Sequence, residues 1–261
     1  PAPVVTLTSN DFDNIICTQD SITFTGSGAQ QYRFLKNNIP ISGFTLNPNY
    51  STANLVNGDV IKVIGKYTST GCVDTSAALT IQVNPLPIVT LATTAASNVI
   101  CDNESVTFTG GGANTYQFLL NHVPTGAPGI NPYTTNALST FDTVQVIGIS
   151  AAGCSALSPQ SYGFVVNSLP NVTLTFNDID TSICQGTQVN FNAGGGVLYQ
   201  FYLNGVPTGP LSATNTYNTN ALANNDQLFA KGVFNGCENY SDTVLFEVLP
   251  VPNTTLISND L

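Results

Sequence analysis

Apolar and polar residues alternate with a period of two in short runs, and the runs recur along the chain. Ile22 and Phe24, Val106 and Phe108, and Val189 and Phe191 stand two apart, a spacing that sets both side chains on one face of a β-strand. Tyr32-Arg33-Phe34, Tyr116-Gln117-Phe118 and Tyr199-Gln200-Phe201 repeat the spacing one strand later. Between the two runs lie Gly26-Ser27-Gly28, Gly110-Gly111-Gly112 and Gly194-Gly195-Gly196, which predict a turn because glycine accepts positive φ. First strands are expected at residues 4–8, 88–91 and 172–176, each behind a proline-containing lead-in. Tyr50-Ser51-Thr52 and its copies at Tyr133 and Tyr217 read as a fifth strand. The runs opened by Asp59, Asp142 and Asp226 read as a sixth, and residues 77–83, 162–166 and 243–248 as the last. No stretch sustains a helical period. The expected fold is all-β, built from immunoglobulin-like antiparallel β-sandwiches.

The pattern occurs three times at a fixed period, which means an array of whole small domains. Corresponding cysteines, Cys17, Cys101 and Cys184 and then Cys72, Cys154 and Cys237, recur every 82 to 84 residues. The expected domains are residues 1–84, 85–168 and 169–250, with residues 251–261 beginning a further repeat. The links Asn84-Pro85-Leu86-Pro87 and Asn167-Ser168-Leu169-Pro170 are short and proline-bearing. They predict three tandem sandwiches in an extended rod. The segment 253–261 is a candidate for strand exchange with a sheet edge of this or another molecule. Pro1 follows no leader and no initiator Met, which reads as a piece of a longer chain.

Six cysteines fall in matched pairs separated by 55, 53 and 53 residues. Units of this size bury a modest core, and closing a loop of that length disfavours the unfolded chain by roughly 4 kcal/mol in the chain-entropy model. The expectation is three intradomain disulfides, Cys17–Cys72, Cys101–Cys154 and Cys184–Cys237. In an ordinary immunoglobulin sandwich the two positions lie at opposite ends, so this pairing requires the segment before the second strand to depart from that plan. Disulfides place the chain outside the cytosol. Zinc is disfavoured, since there is no C-x-x-C and a single histidine, His122.

Charge narrows the partners. Five basic residues (Arg33, Lys36, Lys62, Lys66, Lys231) against fifteen acidic ones give a net charge of −10. That excludes a nucleic-acid or anionic-membrane surface, which needs clustered cations. No apolar run has the length of a membrane-spanning helix.

The repeated I-C-x-x-x-x-[V/I]-x-F-x-[G/A]-[S/G]-G, Y-x-F and G-C pattern resembles the tandem Ig-like and PKD-like repeats of very large cell-surface adhesins of Bacteroidota, the SprB-type gliding adhesins among them. The resemblance covers all three units. It implies export by the type IX pathway, an extracellular cell-surface location, gliding motility and no enzymatic activity. The tryptophan common on the third strand of immunoglobulin relatives is absent, and Tyr32, Tyr116 and Tyr199 or the adjacent Phe take its place. Asp20-Ser21-Ile22, Asp142-Thr143-Val144 and Asp242-Thr243-Val244 resemble the Asp-[Ser/Thr]-apolar acceptor of Bacteroidota O-glycosylation, which makes Ser21, Thr143 and Thr243 candidate glycan sites.

Candidate chemistry is sparse. Asp11/Asp13 and Asp178/Asp180 offer oxygen ligands for Ca²⁺, but the second repeat has Ala95-Ala96-Ser97 there, so loop-capping acids are the simpler reading. His122 stands where the sister repeats have Asn38 and Gly205, which fits a turn residue. No catalytic motif occurs, and no cofactor is expected. Three functions stay open: an adhesive or structural repeat segment that acts as a rod or through many weak contacts, a carbohydrate-binding accessory module, and a self-assembling filament subunit. Partners are expected to be further repeats of the same chain and a surface or glycan ligand.

Overall fold

A computed structural model of the chain describes residues 2–129 and 131–254. The first repeat runs β1 (Thr6–Ser9), β2 (Ile15–Cys17), β3 (Ile22–Ser27), β4 (Gln31–Lys36), β5 (Ile39–Pro40), β6 (Asn49–Thr52), β7 (Val60–Lys66), β8 (Val73–Thr75), β9 (Leu79–Thr80) and β10 (Gln82–Asn84). The second runs β11 (Thr90–Thr93), β12 (Val99–Cys101), β13 (Val106–Gly111), β14 (Thr115–Leu120), β15 (Val123–Pro124), β16 (Tyr133–Thr135), β17 (Thr143–Ile149), β18 (Ser155–Leu157), β19 (Tyr162–Gly163) and β20 (Val165–Asn167). The third runs β21 (Thr173–Phe176), β22 (Ser182–Cys184), β23 (Val189–Gly194), β24 (Leu198–Leu203), β25 (Val206–Pro207), β26 (Thr216–Thr219), β27 (Gln227–Phe234), β28 (Cys237–Tyr240), β29 (Val244–Leu245) and β30 (Glu247–Leu249).

Each repeat is an immunoglobulin-like sandwich with the same three sheets. In the first, β1-β3-β6 faces the sheet β5-β4-β7-β8, which β9 extends along β7, and β10 pairs with β2. By spatial proximity the chain groups into two compact units, one of Pro1–Ala92, Phe108–Tyr133 and Thr143–Ser161, the other of Thr93–Thr107, Thr134–Asp142 and Tyr162–Leu261. The candidate strand-exchange segment 253–261 falls, from residue 255 on, outside the described residues.

The alternating pairs form the core as their spacing requires. Ile22, Phe24, Val106, Phe108, Val189 and Phe191 are each at most 1% exposed, with Phe34, Phe118 and Phe201 against them. Burying a tyrosine on the third strand demands a partner for its hydroxyl. The turn before it supplies one: Tyr32 Oη donates to Ala29 O at 2.7 Å and accepts from Ala29 N at 3.1 Å. Tyr116 does the same with Ala113 and Tyr199 with Gly196. The turn glycines Gly28, Gly112 and Gly195 adopt φ of 86°, 84° and 86°. A Cβ there would stand 1.8–1.9 Å from the carbonyl oxygens of Val4, Ile88 and Asn171, so glycine is needed for space as well as for φ.

The last strand departs from expectation. It is broken in two, as β9 and β10, β19 and β20, and β29 and β30, and a buried serine stands ahead of each broken run. Ser76, Ser158 and Ser241 are 6%, 2% and 8% exposed. Their hydroxyls accept from Val63 N, Val146 N and Ala230 N at 3.1, 3.2 and 3.0 Å and donate to Ala77 O, Gln160 O and Asp242 O. The ladder on the sixth strand is thus interrupted without leaving a buried donor unmet. After the serine the chain rejoins that sheet through β9, β19 and β29, and only then do β10, β20 and β30 cross to pair in parallel with β2, β12 and β22.

Candidate functional site

The crossing sets where the cysteines lie. In the register of β2 with β10, Cys17 stands opposite Asn84, the residue at which the chain leaves the first sandwich. Cys101 stands opposite Asn167 in the same way. A tight turn follows each: Cys17 N donates to Asp20 Oδ2 and Cys101 N to Glu104 Oε2, both at 2.9 Å. The second cysteine of each repeat lies in or beside the turn between the sixth and seventh strands, closed by Tyr67 N to Cys72 O at 3.0 Å and Ser150 N to Cys154 O at 2.8 Å.

The disulfides are Cys17–Cys154 and Cys101–Cys237, with Cα–Cα distances of 5.6 and 5.5 Å, while Cys72 and Cys184 are free. The intradomain pairing Cys17–Cys72, Cys101–Cys154 and Cys184–Cys237 is therefore corrected. Because β2 lies along the departing strand, Cys17 sits at the exit of its sandwich. The turn that reaches the exit belongs to the following repeat: Cys154 Sγ is 3.9 Å from Asn84 O and Cys237 Sγ 3.8 Å from Asn167 O. Polar contacts flank the second joint, where Asn167 Nδ2 donates to Asn235 O and Asn239 Nδ2 to Pro170 O. Bonding goes with burial. Cys154 and Cys237 are 0% and 1% exposed, whereas their free counterpart Cys72 is half-buried and Cys184 is exposed.

The recurrent acid ahead of the sixth strand caps a turn. Asp59 Oδ2, Asp142 Oδ2 and Asp226 Oδ2 each accept a backbone N–H three residues earlier, from Val56, Ser139 and Ala223, at 2.8 Å. Asn37 and Asn204 Nδ2 donate to Asp59 and Asp226, and their Oδ1 atoms accept Val60 N and Gln227 N. In the first repeat a cation adds to this, with Lys36 Nζ 2.7 Å from Asp59 Oδ2. Burial pushes the Asp59 carboxyl up most strongly of any single influence. The hydrogen bonds from Lys36, Val56 N and Asn37, with the Lys36 charge, together outweigh burial and hold it below the usual carboxylate range.

Among the calcium candidates, Asp11 and Asp13 both accept Ile15 N at 3.1 Å, and Asp178 accepts Asp180 N and Thr181 N. Asp180 accepts Ser182 N. No group of three potential metal ligands occurs among the described residues. Of the glycan candidates, Ser21 and Thr243 are exposed, and Thr143 is half-buried with its hydroxyl 3.3 Å from Asn121 Oδ1. His122 sits at φ 66° in the two-residue turn after β14, matching Asn38 at 66° and Gly205 at 76°, the geometry of a primed hairpin turn.

One surface feature escaped the sequence. On the outer face of the third sandwich, Tyr202 and Phe229 stack at 4.9 Å with rings 4° apart, and Tyr240 meets both edge-on. Lys231 and Glu238 pair beside them at 2.9 Å. The first repeat carries Leu35, Lys62 and Thr75 at these register positions.

No family model matches the chain, and no curated protein matches it. Solved structures with a similar arrangement include fibronectin(III)-like modules of CbhA from Clostridium thermocellum, with 17% identity, TM-score 0.41, and coverage of 63% of this chain and 95% of that one. A 1.5-MDa bacterial ice-binding adhesin is similar at 13% identity and TM-score 0.33, covering 97% of this chain and 99% of that one. The D1–D4 ectodomain fragment of ICAM-5 is similar at 14% identity and TM-score 0.40, covering 93% and 76%. The fold is defined by the chain's own sheets.

Proposed function

We propose that this chain is a load-bearing repeat segment of a large bacterial cell-surface adhesin, with residues 1–84, 85–168 and 169–250 as successive sandwiches. The observation that carries this reading is the overlap of the two covalent loops, Cys17 to Cys154 and Cys101 to Cys237. Three stretches of backbone, 17–101, 101–154 and 154–237, then run in parallel between the two bonds. Tension is shared among them, and a single cut in any one leaves the ends joined. Intradomain bonds would leave each link as a lone strand. Such redundancy suits a spacer exposed to shear and to proteases outside the cell. The folding features recur in every repeat, while the outer-face residues vary, as expected of a scaffold with no shared active site. Glycans at Ser21, Thr143 and Thr243, calcium at the Asp11/Asp13 and Asp178/Asp180 loops and export by the type IX route belong to this proposal.

Limited proteolysis of the intact chain tests the core of it. Molecules nicked once between Cys17 and Cys237, including at the links, should run at full mass without reductant and as two fragments with it. Fragments that separate without reductant would overturn the reading.

The aromatic trio supports a second reading, carbohydrate binding by the third sandwich, since flat stacked rings favour sugar faces. Tyr202→Ala with Phe229→Ala should abolish retention on insoluble cellulose or chitin if that reading holds. Equal retention, or none by the parent chain, would remove it.

A further inference from the structure

We propose that the outer face of the first sandwich binds an acidic polysaccharide through the carboxylates of its uronate units, with Arg33 and Lys66 as the gripping cations. The chain has five basic residues against a net charge of −10, and three of the five share this face. In the register of β4 with β7, Arg33 stands opposite Ile64, and Lys62 and Lys66 lie two residues to either side of Ile64, hence on its face. No acid occupies the outward positions of β4, β7 and β8. Asp74 belongs by register to the other face, across from Gly65.

The sister repeats build the same sheet without these charges. At the position of Arg33 they carry Gln117 and Gln200. Gln117 Nε2 donates to Gly126 O, and Gln200 Nε2 to Gly209 O at 2.9 Å, so each ties its strand to the loop that follows. At the position of Lys66 they carry Ile149 and Val233. Arg33 makes no such tie among the described residues, and its Nε is buried without an acceptor, a cost that the glutamines avoid. Instead Arg33 Cζ lies 5.7 Å from the centre of the Phe44 ring, and Lys66 Nζ 5.5 Å from the same centre. The ring attracts both cations but neutralises neither. Among the described residues neither cation has a carboxylate within ion-pair distance, whereas Lys231 of the third sandwich is matched by Glu238 at 2.9 Å. The first repeat thus holds two uncompensated charges together where its sisters show that folding needs none.

The donor set points to the ligand. A planar guanidinium suits a carboxylate held by two parallel hydrogen bonds, and an ammonium adds a point charge beside it. Lys62 and Lys66 are about 13 Å apart along β7, from four residues of strand rise, and Arg33 lies between them one strand over. The face therefore offers a row of positive charge to a polymer that repeats a carboxylate at intervals. Gln31 and Thr75 stand opposite Lys66 and Ile64 and add the neutral donors and acceptors that sugar hydroxyls take. Three cations are too few to hold a nucleic-acid backbone against the repulsion of a chain with net charge −10. This inference goes beyond the load-bearing reading, since a spacer can share tension without gripping a glycan, and it concerns a different sandwich from the aromatic trio.

The test measures binding of the full chain to polygalacturonate and alginate by affinity electrophoresis and calorimetry, with methyl-esterified polygalacturonate, polyglutamate and duplex DNA alongside. Binding to at least one uronate polymer is expected, weakening as salt rises and falling away on the ester. Arg33→Gln and Lys66→Ile copy Gln117 and Ile149 of the second repeat, so the sandwich should keep its melting temperature. Each should lower the affinity about tenfold, the scale of one charge-assisted hydrogen bond. Lys231→Gln, which removes the same charge from the third sandwich, should leave the affinity as it was. No binding to either uronate polymer, equal binding to the ester, equal or tighter binding to polyglutamate or DNA, or equal losses in all three variants would each overturn the proposal.

Discussion

The closed joint at Cys17–Cys154 and the open half-joint at Cys184 differ in one covalent bond and share nearly everything else. β2 pairs with β10, and β22 with β30, in parallel and in one register. The backbone turn after the cysteine is the same, with Asp20 N on Cys17 O and Thr187 N on Cys184 O, both at 3.0 Å. The turn carrying free Cys72, closed by Tyr67 N on Cys72 O, is one residue longer than the turn carrying bonded Cys154, closed by Ser150 N on Cys154 O. The arm that presents the first cysteine thus has the same backbone with and without a disulfide, whereas the turn that carries the second cysteine varies from repeat to repeat.

The sharpest way to break this comparison is to separate folding from connection. Phe108→Ala, at a residue 0% exposed, should destabilise the second sandwich by about 3–5 kcal/mol. Cys17→Ser with Cys154→Ser should lose stability only through the unfolded chain, by roughly 4 kcal/mol or less, and leave the sandwiches folded at ambient temperature, yet a nick in the link 84–87 should now sever the chain. Denaturation followed by intrinsic fluorescence and non-reducing gels would check both. A cysteine variant already unfolded without denaturant at ambient temperature would show that the joints are part of the folding core, and the comparison would fail.

Much of this was legible in the residues, and the failure has a physical cause. The sandwiches, the inward Phe and Tyr pairs and the glycine turns follow from a period of two and from φ preferences, which are local properties. Cysteine partnership is not local. In an array with a period of about 83 residues, a turn cysteine lies at a fixed spacing from the first cysteine of its own repeat and from that of the repeat before. Spacing alone cannot choose between them. What chooses is the crossing of the last strand to pair with β2, β12 or β22, a long-range pairing with no local mark in the sequence. The aromatic trio of the third sandwich lies outside the recurring inward pairs: Tyr202 shares an outer face with Gln200, to which its hydroxyl donates.

A smaller effect should sharpen the comparison from the side of the arm that holds Cys17. Asp59 is 3% exposed. Besides its side-chain bonds, its carbonyl accepts Ile81 N at 2.9 Å, just before β10 begins. Burial pushes its carboxyl up, but the hydrogen bonds from Lys36, Val56 N and Asn37 with the Lys36 charge outweigh burial and hold it below the usual carboxylate range. A carboxylate with a lowered folded pKa contributes stability that is present above the unfolded pKa and lost as pH falls through the folded one. Protonation at low pH should therefore loosen β10 against β2. Cys17–Cys154 should then be reduced faster by a phosphine, relative to Cys101–Cys237 in the same molecules, as pH drops below about 4. Lys36→Leu, which copies Leu203 of the third repeat, leaves the Asp59 carboxylate with Val56 N and Asn37 as its partners. It should shift the onset of the faster reduction to higher pH, because the carboxyl then protonates sooner. A ratio of reduction rates that stays flat from neutral pH to pH 3, in parent and variant alike, would mean that the arm is held by its backbone ladder alone and that Asp59 has no part in presenting the joint.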